Sequence, residues 1–419
     1  MATGNSSGYH SEYLISTWGL PVMPSTIPNT LRCAAALSEQ KETASAVREA
    51  CETALESLGG RPDLAMLFFS QHHTAHAERV SADACKWLDT DQLLGCSGEA
   101  IVGGRREVEN EPAMSLWLAR WPGVKTTLMK LQFERSPEGG VIQGWPDELA
   151  GEWPPGTFLM LLGDPFSFPA DRLLERLNED RPGVSVVGGM ASGAPEPGEN
   201  RLLFGRETLH EGAVAALVSG PIRMRTVVSQ GCRPIGKPFV VTKAERNVLY
   251  ELGGRPALLQ LKEIFDQLPT REQSLVQNAL HVGRVVSEYQ DRFEQGDFLV
   301  RNVVGIDPGS GAIAVGDYIR PGQTVQFHVR DQEAADAELK QLLSKSKKQS
   351  TSPAGALLFT CNGRGTRMFS HPHHDAESVA KNFGSVPLAG FFAQGELGPI
   401  GQQNFMHGFT ASIAVFESA

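Results

Sequence analysis

The most regular feature of the chain is an order of apolar and polar stretches that occurs three times. Each copy opens with a continuous apolar run, which is typical of a strand buried on both faces. A polar loop, an amphipathic helix, a second strand, a glycine-rich turn and returning strands follow. The three apolar runs are residues 64–69, 158–162 and 356–359. Because this period far exceeds the roughly 20–50 residues of a solenoid repeat, the pattern predicts related units that pack together.

The glycine-rich turns mark the same place in each copy. They contain Gly95, Gly188 and Gly390, and we expect these glycines to occupy equivalent positions in the fold. The strands return in pairs after each turn, which disfavours a purely parallel, doubly wound sheet. The sequence therefore predicts an α/β protein of two modules, with mixed, largely antiparallel sheets, internally repeated strand–helix–strand units and helices on the outer faces.

The chain is predicted to consist of an N-terminal segment followed by the two modules. Residues 1–62 are predicted to form an N-terminal arm and a helix, with about the first 25 residues irregular because they are polar and rich in turn formers. The helix is expected over residues 38–58, with Ser38 as its N-cap and glycines at its end. The two modules would then cover residues 63–250 and 251–419, and the polar stretch 345–353 is predicted to be a linker.

Charge and composition exclude several classes of function. The chain has 419 residues and a formal net charge of −10, which argues against a dedicated nucleic-acid binder and against docking on an anionic membrane. No apolar run approaches the ~20 residues that span a bilayer, and the N-terminus lacks the order of a signal peptide. The six cysteines include no C-x-x-C pair and are expected to be reduced thiols. We therefore expect a cytoplasmic protein with no membrane insertion and no nucleic-acid partner.

Several long stretches resemble the FIST domain proteins, in which an N-terminal and a C-terminal FIST module follow one another. The resemblance covers roughly residues 63–418 and is carried by LLGCSGEAIVGG, QGCRPIGKPFVVT, YELGGRPALLQL, FTCNGRG and PLAGFFAQGELGPIGQQNFMHGFTASIAVF. It implies a sensory protein that binds a small ligand, such as an amino acid or a related metabolite, without chemistry of its own. No F-box or other output segment is recognised beside the modules, so we expect a stand-alone sensor or adaptor whose signalling partner protein is unknown.

Residues whose chemistry suits a zwitterionic ligand lie at the ends of predicted strands. Arg364, between two glycines, has the planar fork that clamps a carboxylate, and Glu396 suits an ammonium group. If their strands run side by side, both groups face one end of the sheet. The alternative is structural, with Arg364 in an internal ion pair or neutralised by Glu396. The predicted ligand-binding residues are Arg364, Glu396, Asn362, Cys361, Glu99, Ser97, Gln230 and Arg233.

The sequence is also compatible with two other functions. Cys361 follows a buried strand in a glycine-rich turn, which would suit the nucleophile of a cysteine-dependent hydrolase or transferase. The sequence around it matches no known cysteine-hydrolase signature, and no G-x-S-x-G or nucleotide-binding motif is present. The F-box relatives of the FIST proteins suggest the second alternative, a protein-interaction scaffold.

Two histidine clusters raise the question of a metal site. They are His72, His73 and His76, and His371, His373 and His374. His72 and His76 have the i, i+4 spacing of a zinc-binding helix, but the glutamate of the H-E-x-x-H motif is replaced by His73. We therefore predict no metal ligand, no cofactor and no catalytic residue.

Overall fold

The computed structural model describes residues 30–136, 139–290, 292–349 and 352–419. The irregular arm predicted for the start of the chain lies outside these residues. The described residues form an α/β protein with mixed and antiparallel sheets and helices on the outer faces, as predicted. Within those ranges, no helix is both long enough and apolar enough to cross a membrane.

Three units with a similar order of strands make up most of the molecule. Unit 1 (residues 32–120) contains β1 (Arg32–Ser38), α1 (Thr43–Leu58), β2 (Leu64–Ser70), α2 (Ala77–Leu88), β3 (Leu93–Gly98), β4 (Ala100–Gly103), β5 (Arg106–Glu109) and β6 (Met114–Arg120). Unit 2 (residues 125–219) contains β7 (Lys125–Glu134), β8 (Val141–Gln143), β9 (Phe158–Gly163), α3 (Ala170–Asp180), β10 (Ser185–Met190), β11 (Leu202–Phe204), β12 (Glu207–Leu209) and β13 (Ala213–Ser219).

Unit 3 (residues 222–418) has the same order but is interrupted by an insert at residues 232–330. The insert contains β15 (Cys232–Glu245), β16 (Val248–Leu252), β17 (Arg255–Pro256), α4 (Ala257–Gln267), α5 (Thr270–Ala279), β18 (Leu280–Val285), β19 (Phe298–Asp307), β20 (Ala312–Val315) and β21 (Thr324–Arg330). The rest of unit 3 contains β14 (Ile222–Ser229), α6 (Gln332–Gln349), β22 (Gly355–Cys361), α7 (His374–Phe383), β23 (Leu388–Ala393), β24 (Glu396–Ile400), β25 (Gln403–His407) and β26 (Ala411–Ser418).

Each unit builds its sheet in the same way. The two strands joined by a helix pair in parallel (β2 with β3, β9 with β10, β22 with β23), and the last strand of the unit pairs antiparallel with the first of them. The hairpin that follows the parallel pair leaves its own unit. Unit 1 extends the sheet of unit 3 through β4, unit 2 extends unit 1 through β11, and unit 3 extends unit 2 through β24. This cyclic exchange joins the three units into one body, and a module boundary at residue 250 stays a prediction.

The three glycines singled out in the sequence do occupy equivalent positions. Gly95, Gly188 and Gly390 each lie opposite a leucine of the neighbouring parallel strand, in the same place of the three units. They are strand residues and not turn residues, so the prediction of turns at these positions was wrong. A Cβ at any of them would overlap the carbonyl oxygen of that leucine, so close approach of two backbones explains the repeated glycine.

The inner faces of the three sheets share one apolar core. Phe68 of β2 and Phe391 of β23 stack there with ring centroids 5.2 Å apart, so side chains from different units pack directly on one another. On the outer faces, separate apolar clusters form under α1 and α2, under α3, and under α6 and α7. Each sheet is therefore buried on both faces, which explains the continuous apolar runs in its central strands.

The insert forms a closed, antiparallel β-barrel. Its strands follow the order β15-β21-β18-β19-β20-β16, and β15 also pairs with β16 to close the ring. Leu261 of α4 and Val276 of α5 belong to the same apolar cluster as the barrel interior, so both helices pack on the barrel.

Three local predictions need correction. The N-cap of α1 is Glu42, whose carboxylate accepts hydrogen bonds from the backbone N–H groups of Ala44 (3.0 Å) and Ser45 (2.6 Å), whereas Ser38 ends β1. The predicted linker begins as helix, because α6 continues to Gln349. The elements β1, α5 and β18 were not predicted. In α5 the one buried side chain is Val276, so the helix carries little apolar periodicity.

Candidate functional site

The loop after β22 is organised by a buried ion pair. Arg364 is completely buried, and its Nε and Nη2 atoms each lie 2.7 Å from an oxygen of Asp375, in the first turn of α7. Asp375 also accepts a hydrogen bond of 2.6 Å from the Thr360 hydroxyl. Burial by itself would raise the pKa of Asp375, but the charge and hydrogen bonds of Arg364 outweigh it and hold that pKa well below its usual range. The remaining guanidinium nitrogen, Nη1, donates to the Phe409 carbonyl at 3.3 Å.

This ion pair continues through a histidine to the surface of α6. His374 lies 2.8 Å from Asp375 through Nδ1 and 2.9 Å from Asp336 through Nε2, and its ring stacks on Phe369. Asp336 in turn accepts a hydrogen bond from the exposed Lys340. A continuous chain of polar contacts therefore runs from the centre of unit 3 to solvent.

Glu396, the first residue of β24, does not pair with Arg364. Its carboxylate is fully buried, and Oε2 accepts a hydrogen bond of 3.0 Å from the Thr410 N–H. Burial raises the pKa of Glu396 to about 8. Cys361 is its electrostatic neighbour, and burial followed by the charge of Glu396 raises the pKa of that thiol as well. At neutral pH this corner of the molecule therefore holds a protonated thiol.

A second buried carboxylate, which was not predicted, comes from another unit. Glu107 of β5 accepts a hydrogen bond of 2.8 Å from the Ala376 N–H and so caps α7 from unit 1. Burial, together with the charge of Asp375, raises the pKa of Glu107 to about 8. The exchanged hairpin of unit 1 therefore forms part of the same charged cluster.

The remaining predicted residues are separated by the fold. Glu99 pairs with Arg367 at the rim of a small cavity of about 90 Å³ that Asn362 also lines; the buried Oδ1 atom of Asn362 has no partner among the described residues. The Ser97 hydroxyl accepts a hydrogen bond from the Arg201 N–H at 3.0 Å. These contacts bring Asn362, Glu99 and Arg367 together but use the Ser97 oxygen within the fold.

Gln230 and Arg233 also have structural partners. Gln230 is buried, and its amide bonds to the Phe298 carbonyl at 2.6 Å and to the Val300 N–H at 3.1 Å along β19. Arg233 pairs with Asp331 and Glu272. A role in ligand binding for any of the eight predicted residues stays a prediction.

The two histidine clusters do not form a metal site among the described residues. His73 lies 3.0 Å from the Thr43 hydroxyl through Nδ1, and His72 lies 3.2 Å from the Ser70 hydroxyl. In the second cluster, His374 belongs to the ion-pair network, and Nδ1 of His373 accepts a hydrogen bond from the Glu107 N–H at 3.0 Å.

A cavity of about 610 Å³ lies directly beside this loop, between the insert and unit 3. Phe409, whose carbonyl holds Arg364, forms one wall of the cavity and has a left-handed backbone (φ 60°). Arg330 lies over the Phe409 ring, 4.3 Å from its centroid, and His281 contacts the same ring edge-on. The rest of the wall comes from α4, α5, β18 and β19. The cavity lining is Leu258, Leu261, Lys262, Phe265, Val276, Gln277, Asn278, Ala279, Leu280, His281, Asn302, Val303, Ile306, Arg330 and Phe409.

Sequence reasoning missed this cavity, although one signal was present. Four lining residues of α4 are spaced i, i+3, i+4 and i+7, which places them on one face of the helix. They are Leu258, Leu261, Lys262 and Phe265. A lysine within an otherwise apolar helix face indicates that the face is not completely buried against the rest of the protein.

Another cavity, of about 650 Å³, lies between α3 and the segment after β8. Its arginines hold the chain in place on both sides of β8: Arg172 donates to the Gly139 carbonyl at 2.6 Å, and Arg181 donates to the carbonyls of Ala150 and Gly151. Because those cations support the fold, the cavity beside Phe409 is the stronger candidate for a ligand.

Known families and proteins are similar to this chain along most of its length. The FIST N domain matches residues 63–255, and the FIST C domain matches residues 257–399. An uncharacterized protein of Mycobacterium tuberculosis is 44% identical over 388 residues, which cover 92% of this chain and 100% of the relative. An uncharacterized protein of Mycobacterium bovis is 42% identical over 372 residues, which cover 88% of this chain and 95% of the relative.

Proposed function

Because this chain belongs to the FIST family, we propose that it is a sensory protein that binds a small metabolite and performs no chemistry on it. FIST domains are generally regarded as sensory domains in signalling proteins. The ligands we propose are amino acids or related small metabolites. The observation that carries the proposal is the cavity of about 610 Å³ between α4, α5 and Phe409, a size typical of small-molecule sites.

The position of this cavity suits a sensor. Its Phe409 wall contacts Arg364 through the backbone carbonyl, and Arg364 is linked through Asp375 and His374 to Asp336 on α6. A ligand that moved Phe409 would alter a buried charged network whose far end lies at the surface. We propose that a signalling partner protein reads this change on α6.

The chemistry of Cys361 favours binding over catalysis. A nucleophilic cysteine needs a lowered pKa, whereas burial raises the pKa of Cys361. Among the described residues no histidine is hydrogen-bonded to its sulfur, and His374 bonds to two aspartates instead. A cysteine-dependent hydrolase or transferase is therefore the weaker proposal.

The test is a thermal-shift screen of the full chain against amino acids and other small metabolites, followed by calorimetric titration of each hit. Leu258→Trp would fill the cavity, and Leu259→Trp is its matched control, because Leu259 is the next residue of α4 and is exposed. We expect the hit to bind the wild type and Leu259→Trp alike and to lose affinity for Leu258→Trp. If no compound binds more tightly than ~1 mM, or if Leu258→Trp binds as well as its control, the proposal is wrong.

A further inference from the structure

The charge of the cavity beside Phe409 differs from that of the whole chain. The protein has a formal net charge of −10, with 48 acidic residues. Yet the described residues that line the cavity include Arg330 and Lys262 and no aspartate or glutamate. An electropositive cavity in an acidic protein attracts anions and disfavours cations.

Arg330 has free hydrogen-bonding capacity within the described part of the chain. It is half-buried, and its guanidinium rests on the Phe409 ring without an ion pair to any carboxylate that the structure describes. The neighbouring Asp331, which could have neutralised it, is bonded to Arg233 at 2.8 Å. A guanidinium stacked on an aromatic ring keeps its edge open for two parallel hydrogen bonds to a carboxylate.

Apart from Arg330 and Lys262, the lining groups are neutral. Burial lowers the pKa of His281, so its ring is uncharged at neutral pH. Asn302, Gln277 and Asn278 supply amides that can donate a hydrogen bond, while Leu258, Phe265 and Ile306 supply an apolar wall. The cavity thus pairs one anion-binding end with an apolar body.

We infer that this cavity binds a monocarboxylate with an apolar body and without an ammonium group. This inference rests on the proposed function, and it selects one class among the small metabolites named there. The carboxylate pairs with Arg330, and the apolar body packs on the wall of α4. An α-ammonium would lie near two cations with no carboxylate in the lining to receive it, so the parent amino acid binds less well.

The test uses two matched series that differ in a single group. They are 3-phenylpropionate, phenylalanine and 3-phenylpropanamide, and 4-methylpentanoate, leucine and 4-methylpentanamide. In titrations of the full chain at pH 7, we expect at least one of the two carboxylates to bind about tenfold or more tightly than its amino acid and its amide. Arg330→Gln should weaken that binding by a similar factor. Arg320→Gln, an exposed arginine of the same insert, should leave it unchanged.

Three results would overturn the inference. One is that each carboxylate that binds is matched in affinity by its amino acid or its amide; another is carboxylate binding that Arg330→Gln leaves unchanged; the last is no binding of either carboxylate. Each is distinguishable from failure of the proposed function, which is judged by the broad screen and by Leu258→Trp against Leu259→Trp. A zwitterion that binds the wild type but not Leu258→Trp would keep the sensory proposal and remove this one.

Discussion

Asp375→Asn is the most direct test of the buried network, because it removes one charge and keeps the size of the side chain. In the wild type, Asp375 receives two hydrogen bonds of 2.7 Å from Arg364, and both side chains are at most 1% exposed. The substitution leaves the buried guanidinium without its hydrogen-bonded counter-charge. Removing one partner of a buried ion pair costs about 3–5 kcal/mol, and we expect the free energy of unfolding to fall by that amount.

The control is the same substitution in an exposed ion pair. Asp83 lies 3.3 Å from Arg79 on α2, and these side chains are 36% and 67% exposed. Exposed pairs contribute about 0–1 kcal/mol because water screens them, so Asp83→Asn should change stability by no more than that. Both variants are measured by urea unfolding of the full chain at pH 7, with the midpoint and the slope fitted together.

The sign of the pH dependence gives a second readout on the same pair. The pKa of Asp375 is lower in the folded protein than the ~3.9 of an unfolded aspartate, so its contribution is present above that value and is lost as the pH falls below it. Asp375→Asn should therefore be closest to the wild type in the most acidic conditions. A cost below ~1 kcal/mol at pH 7, equal to that of the exposed control, would show that Arg364 does not depend on Asp375.

Two further predictions concern Glu396 and the repeated glycines. The pKa of Glu396 is raised to about 8, above the ~4.3 of an unfolded glutamate, so the folded protein loses stability as the pH rises between these values. The side chain of Glu396→Gln stays neutral throughout this range. The melting temperature of that variant should therefore decline less steeply with pH than that of the wild type. The exposed Glu56→Gln should keep the wild-type slope, and equal slopes for both variants would contradict the argument. Gly188→Ala should cost about 2–5 kcal/mol in urea unfolding, because its Cβ would overlap the Leu161 carbonyl at a φ of 143°. Gly151→Ala, in open space, should cost less than ~0.5 kcal/mol, and a similar cost for both would be inconsistent with this account.

Much of the local structure followed from the sequence. The strands near residues 64, 158 and 356 were predicted from short, continuous apolar runs, and most of the helices from the helical spacing of their apolar residues. The end of α1 at Gly59 was predicted for a similar reason, since the left-handed backbone there (φ 73°) favours glycine. The helix α5 was missed because it buries too few side chains to carry a period.

The site was predictable in part. Arg364 between two glycines indicated a close-packed turn, and an internal ion pair was one of the two alternatives for it. Its partner could not be chosen from sequence, because Asp375 and Glu396 are both acidic residues of the same unit. The start of α7 lies over the end of β22 and brings Asp375 to the guanidinium, whereas Glu396 enters the sheet of unit 2.

The sequence by itself determined which residues are buried and where the chain repeats. Both are recorded in short stretches of the chain, as apolar runs and as glycines where two backbones approach closely. The sequence could not determine which sheet receives each hairpin, since β4, β11 and β24 have no local feature that distinguishes one neighbouring unit from another. The cavity beside Phe409 could not be predicted for the same reason. Phe409 lies more than a hundred residues from α4, and their contact depends on how the inserted barrel packs against unit 3. Such long-range contacts are fixed by the packing of the whole molecule, so they appear only in the tertiary structure.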